Sequence, residues 1–158
     1  PSRSWKTSPR RSRAKDRSSD PAMVILDTCA IIWMVQEEPM ASAALSAIRR
    51  AAAAGSLLVS PVSAWEVGLL ATRRRQPLTF RPTPVLWIER LLARPGIRPA
   101  PLPHRVAVSA ASLPGKLQGD PADRLLIATA RELGVPLVTR DRRILAYAEQ
   151  GHVDAIPC

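Results

Sequence analysis

The chain lacks the features that would place it in a membrane, in a disulfide framework or around a soft metal. No apolar run in its 158 residues is long enough to cross a bilayer. No charged segment followed by an apolar run opens it as a secretory signal would. Cysteine is limited to Cys29 and Cys158, which form no metal-ligand spacing. Two free thiols in a reducing cytoplasm are expected. No segment repeats. Acidic side chains are outnumbered, 13 Asp and Glu against 23 Lys and Arg. That excess favours a polyanionic partner, through phosphate contacts and counterion release. An anionic membrane or an acidic protein would satisfy the same charge, so charge alone does not choose.

Residues 1–22 also hold almost no apolar side chains. Arg3, Lys6, Arg10, Arg11, Arg13, Lys15 and Arg17 lie there among serines. Such a segment buries too little surface to fold alone. It is expected to be a disordered basic arm, or an upstream extension, with Met23 as a candidate start. Residues 23–158 are long enough for one domain with one core.

From Met23 onward, short apolar runs alternate with helical patterns. Strands are expected at residues 23–26, 57–60, 136–139 and 153–156. A weaker strand at 97–102 is broken by Pro99 and Pro101 and belongs at a sheet edge. Helices are expected from Thr28 and over 39–54, 64–74, 84–93, 104–113, 121–133 and 142–149, with Pro39 in a first turn and Gly134 as an exit. Alternation of this kind implies an α/β fold: a central parallel sheet of four to five strands flanked by helices.

In such sheets, ligands bind beyond the carboxyl ends of the strands. Asp27 follows the first strand directly, and Asp141 follows Leu137-Val138-Thr139 by one residue. Glu66 is placed in the first turn of the helix after the second strand, and Asp123 in the first turn of the helix opened by Asp120-Pro121. A parallel sheet would bring all four to one rim. Converging carboxylates repel, so a cation belongs among them, and oxygen-only ligands favour Mg²⁺ or Mn²⁺ over zinc. An ion so held activates water and stabilises charge on a phosphodiester. Each acid also has a purely structural explanation. Ser63 to Glu66 fits a capping box, Asp123 suits the dipole of its helix, and Asp141 suits an N-cap. Asp27 alone has no evident local role.

Val24-Ile25-Leu26-Asp27-Thr28 resembles the opening strand and first acid of PIN domains, and Trp65-Glu66-Val67 the second acidic motif. The run from Asp120 through Asp123 to Ala130 is the most specific match, and Leu137-Val138-Thr139-Arg140-Asp141 resembles the closing strand and last acid. Within that family the chain looks most like the VapC toxins of bacterial toxin–antitoxin pairs. The resemblance implies a Mg²⁺-dependent endoribonuclease, with Mn²⁺ as a substitute, in the cytoplasm. It implies a homodimer held in check by a VapB-type antitoxin, in a heterotetramer or larger assembly. Asp27, Glu66 and Asp123 take the positions of the core metal-binding acids, Asp141 the fourth, and Thr139 a hydroxyl position that orients water or phosphate. Thr28 and Arg124 are candidates for substrate binding. Whether Asp120 also reaches the metal is left open.

Other residues receive plainer readings. Cys29 is expected to be a small buried helix residue, and His104 to cap a helix. Trp33, Trp65 and Trp87 are assigned to core or dimer packing, with base stacking as the alternative. Two other functions compete: a catalytically inactive nucleic-acid-binding module, and an aspartate-based phosphatase or receiver-like domain. The step Asp27-Thr28-Cys29 lacks the second aspartate that such phosphatases carry two residues on.

Overall fold

The computed structural model describes residues 23–117 and 119–158; the expected basic arm, residues 1–22, lies outside them. Among the described residues the chain forms β1 (Val24–Leu26), α1 (Thr28–Gln36), α2 (Ser42–Ala53), β2 (Leu57–Val59), α3 (Pro61–Thr72) and α4 (Pro84–Leu92). There follow β3 (Ile97–Pro99), α5 (His104–Ala111), α6 (Pro121–Leu133), β4 (Leu137–Thr139), α7 (Arg142–Glu149) and β5 (Ala155–Pro157). All neighbouring strands pair parallel, in the order β3-β2-β1-β4-β5. The expected α/β architecture is present, and the proline-bearing β3 is an edge strand.

The three inner strands are buried along their whole length, as a parallel sheet covered on both faces requires. Side chains alternate between two cores, following the two-residue period of a strand. Val24, Leu26, Leu57, Val59 and Val138 point to one face, under α1, α2 and α4. Ile25, Leu58 and Leu137 point to the other, under α6 and α7 with Leu126, Ile127, Ile144 and Tyr147. Gly96 lets β3 approach α2: its φ is +86°, and a Cβ there would lie 2.1 Å from the Ala52 carbonyl oxygen.

Two helix starts and one expected cap differ from expectation. Helix α2 begins at Ser42, not in the turn of Pro39. Helix α3 begins at Pro61, three residues early, because Ser60 caps it by accepting from the Val62 N–H. Helix α5 starts at His104 with Pro103 as its N-cap and no side-chain cap bond, so the imidazole caps nothing.

The second boundary carries an expected result. Ser60→Ala should cost about 1 kcal/mol, the usual loss for an N-cap. Ser63 is fully buried with its hydroxyl unpartnered, so Ser63→Ala should be neutral or stabilising. Urea unfolding of the two variants checks the order; a larger loss at Ser63 would contradict it.

Candidate active site

The sheet is built outward from β1 to β2 and β3, then resumes on the other side with β4 and β5. The order therefore reverses between β1 and β4, where open parallel sheets hold their ligands. Asp27 sits at that point, its backbone N–H donating to the Val138 carbonyl at 3.0 Å. Next to it opens a cavity of about 420 Å³. Asp27, Glu66, Asp123 and Asp141 all line it, each carried by a different connection or helix, and Asp120 joins them.

Helix geometry places these acids differently from expectation in two respects. Asp27 does have a local role. It is the N-cap of α1, and its Oδ1 accepts from the Ala30 N–H at 2.6 Å. Glu66 has none, because Ser60 rather than Ser63 is the cap, which puts Glu66 in the second turn of α3. Asp120 and Asp123 form a reciprocal capping box on α6. Asp141 caps α7, accepting from the N–H groups of Arg143 and Ile144.

The two threonines serve the acids. Thr139 is fully buried; its hydroxyl donates to Asp27 Oδ2 and accepts from the Asp141 N–H at 3.0 Å. Thr139 is not among the residues that line the cavity; its hydroxyl holds Asp27 and Asp141 in place instead. Thr28 lines the cavity, but its hydroxyl donates to Glu66 Oε2. Arg124 does not face the cavity. Its guanidinium donates to the Ala110 and Ala111 carbonyls at 2.9 and 3.1 Å, tying α6 to the end of α5.

The cations at the cavity are Arg73, Arg140 and Arg143. Arg140 lies over the Trp33 ring, 3.5 Å from its centroid, and donates to the Cys158 carbonyl. Arg143 reaches Asp141 at 2.9 Å and Asp123 at 3.4 Å from the exposed rim. Sequence reasoning missed Arg140 and Arg143, although both flank Asp141 in the closing motif. Cys29 is exposed at the cavity rather than buried. Partial desolvation there and the charges of Asp27, Glu66, Asp141 and Asp123 push its thiol pKa up. Trp33 and Trp87 pack as expected, but Trp65 is 55% exposed.

Electrostatics separate the acids. Burial pushes Asp27 and Glu66 above the usual carboxylate range against the hydrogen bonds from Thr139 and Thr28. Burial and then the charges of Asp120 and Asp141 push Asp123 up to about 6. Asp141 is held low, first by the Arg143 side chain. Raised folded-state values mean that ionisation opposes folding. For Asp123 the cost is full above about 6 and is relieved as pH falls toward its unfolded value of 3.8. Stability held through Asp141 is lost only below its own unfolded value, 3.8. With divalent ions chelated, the melting temperature should be higher at about pH 5 than at about pH 7.5, and Mg²⁺ should narrow the gap. Melting that is flat or reversed across this window would contradict the cluster.

The donors are carboxylate oxygens, which suit a hard cation. Among the described residues no three acidic, histidine or cysteine side chains close into a tight cage. An open ring of acids around a cavity fits Mg²⁺, which keeps several waters and takes one or two carboxylates together with substrate oxygens.

The sequence profile of the PIN domain family matches residues 24–150. Ribonuclease VapC22 of Mycobacterium tuberculosis is 37% identical over 126 residues, covering 78% of this chain and 91% of that protein. The fold is similar to that in the crystal structure of VapBC2 from Rickettsia felis bound to a fragment of its promoter DNA. That likeness has a TM-score of 0.60 at 13% identity, over 85% of this chain and 98% of the other. DNA-bound VapBC from Salmonella typhimurium gives 0.59 at 15% identity, over 85% and 97%. The two structures speak for the fold, and the profile and the sequence identity for the lineage. The chain belongs to the PIN-domain family and, within it, is similar to the VapC ribonucleases.

Proposed function

We propose that this chain is a Mg²⁺-dependent endoribonuclease, acting as the toxin of a toxin–antitoxin pair. The observation that carries the reading is the meeting of Asp27, Glu66, Asp123 and Asp141 at one cavity beyond the ends of a parallel sheet. Identity to a protein named as a ribonuclease supports it. Asp27, Glu66 and Asp123 would hold the ion, with Asp141 at the rim. When bound, Mg²⁺ or Mn²⁺ supplies an activated water and charge stabilisation at the phosphate.

The remaining work falls to the chain's own residues. Ala30 N–H and Thr139 fix the two oxygens of Asp27, and Thr28 fixes Glu66. Arg73, Arg140 and Arg143 draw a phosphate toward a cavity that its acids alone would repel. Arg140 is already ordered by Trp33 and Cys158, so less freedom is lost on contact.

The solved structures similar in fold are VapBC assemblies. For this chain we infer a homodimer inhibited by a VapB-type antitoxin. Leu78, Val85 and Leu86, before and on α4, leave apolar side chains exposed that such a partner could cover. A binding module without catalysis would leave the gathering of four acids at one cavity unexplained. A phosphatase-like role rests on one nucleophilic aspartate and leaves the other three acids at the cavity without a purpose. The purified chain should cut single-stranded RNA in Mg²⁺ or Mn²⁺, stop on EDTA addition, and resume when metal is restored. Binding without cleavage in any divalent ion would favour the binding module, and EDTA-insensitive cleavage would remove the metal.

A further inference from the structure

Trp65 sits on α3 with its indole 55% exposed, and Leu69, one turn on along the same face, is 45% exposed. A Trp left in solvent forgoes the largest apolar burial open to any side chain. These two residues form one wall of a groove of about 200 Å³, and Pro121 and Ala122 at the start of α6 line it with them. The groove is not isolated. Glu66, Arg73 and Asp120 line both it and the acidic cavity. Whatever lies in the groove therefore continues into the place where the phosphodiester is cut.

We propose that the groove is a nucleobase subsite, in which the base next to the scissile phosphate stacks on Trp65. The inference rests on the ribonuclease reading and extends it to a residue that contacts substrate. Single-stranded RNA presents flat π faces, each tied to an anionic phosphate. The site presents an exposed indole and, two helical turns on in the same groove, a guanidinium, Arg73, where groove and cavity meet. The groove is also smaller than the roughly 300–1,000 Å³ of pockets for drug-sized ligands, which suits one ring better than a folded segment. Stacking is tolerant of base identity, so Trp65 contributes affinity and register more than a strict sequence.

The test uses the full chain carrying Asp27→Asn, which keeps a capping side chain at position 27 and should be uncleaving. The probe is a short fluorescein-labelled single-stranded RNA of mixed sequence, followed by anisotropy at fixed salt in Mg²⁺. A second probe has the same sugar–phosphate backbone with abasic sites throughout. Adding Trp65→Ala should weaken binding of the RNA about 5- to 100-fold, as expected for one base on one aromatic ring. Trp65→Phe should recover most of that loss. The abasic probe should bind the Trp65→Ala protein as it binds the Asp27→Asn parent. Equal losses on both probes, or no loss on either, overturn the subsite. If Trp65 instead packs against a second copy, Trp65→Ala lowers the light-scattering mass without the probe-dependent difference, which also overturns it. Failure of the ribonuclease reading shows separately, as no cleavage by the protein with Asp27 intact, while the binding comparison still decides the groove.

Discussion

Asp27→Asn should lower RNA cleavage roughly a thousandfold, the scale of several kcal/mol of transition-state stabilisation by a bound metal, while leaving the fold intact. The substitution nearly preserves shape. An asparagine oxygen still accepts from the Ala30 N–H, as Asp27 does now, and asparagine is as good an N-cap as aspartate. What is lost is a charge that burial already opposes, since the Asp27 pKa is raised chiefly by desolvation, and the bond that the Thr139 hydroxyl donates to Oδ2, which Thr139 can replace by turning to accept from the new amide N–H. Without divalent ions the variant should be at least as stable as the parent. In excess Mg²⁺ the parent gains stability, about 2.7 kcal/mol at a hundredfold excess over the dissociation constant, and the variant should gain less. Single-turnover cleavage and thermal melting, each with Mg²⁺ and with EDTA, separate these effects. A variant that cuts like the parent and gains as much stability from Mg²⁺ would show that Asp27 is not a metal ligand, and one that unfolds in EDTA would contradict the expected tolerance of asparagine.

Ile25→Ala should be among the most damaging single substitutions to stability, at about 2–5 kcal/mol. Ile25 is fully buried on the central strand, between β2 and β4, and packs with Leu58, Leu126, Ile127, Leu137 and Tyr147. Truncation leaves a void that strands paired on both sides cannot close. The loss is a large fraction of the roughly 5–15 kcal/mol that holds a domain of this size together. Asp27 lies two residues on, so loosening β1 also loosens the carboxylate. Val108, 71% exposed on α5, is the control: Val108→Ala should stay within about 0.5 kcal/mol. Urea midpoints of the two variants give the comparison; a loss under about 1 kcal/mol at Ile25 would mean the core is not organised around β1.

Much of the fold was legible in the sequence. Continuous apolar runs such as Val24-Ile25-Leu26 signal strands buried on both faces, and alternation with helices implies the parallel sheet that was found. The same logic placed the four acids at one rim, because strand ends and helix starts are local features. Less legible was which neighbour each polar group would choose. Ser60 and Ser63 are both plausible caps, and Pro61 between them starts the helix at the earlier one. That choice removed the capping role from Glu66. Asp27 gained one because α1 begins immediately after it.

Contacts between distant segments were not legible at all. The Arg124 side chain turns to the end of α5, and Arg140 lies on Trp33, more than a hundred residues away in the chain. Thr139 meets Asp27 because β4 pairs with β1, a pairing that local pattern does not specify. Cys29 is exposed because α1 turns that position toward the cavity instead of the core.

Mn²⁺ titration of the metal-free protein, followed by calorimetry beside a cleavage assay on the same sample, bears most directly on the four-acid site. Saturable Mn²⁺ binding that rises in step with cleavage, with both strongly weakened in Asp27→Asn and in Asp123→Asn, is the expected result. Binding and cleavage unchanged in both variants, or full cleavage in EDTA, would contradict a metal-dependent site at Asp27, Glu66, Asp123 and Asp141.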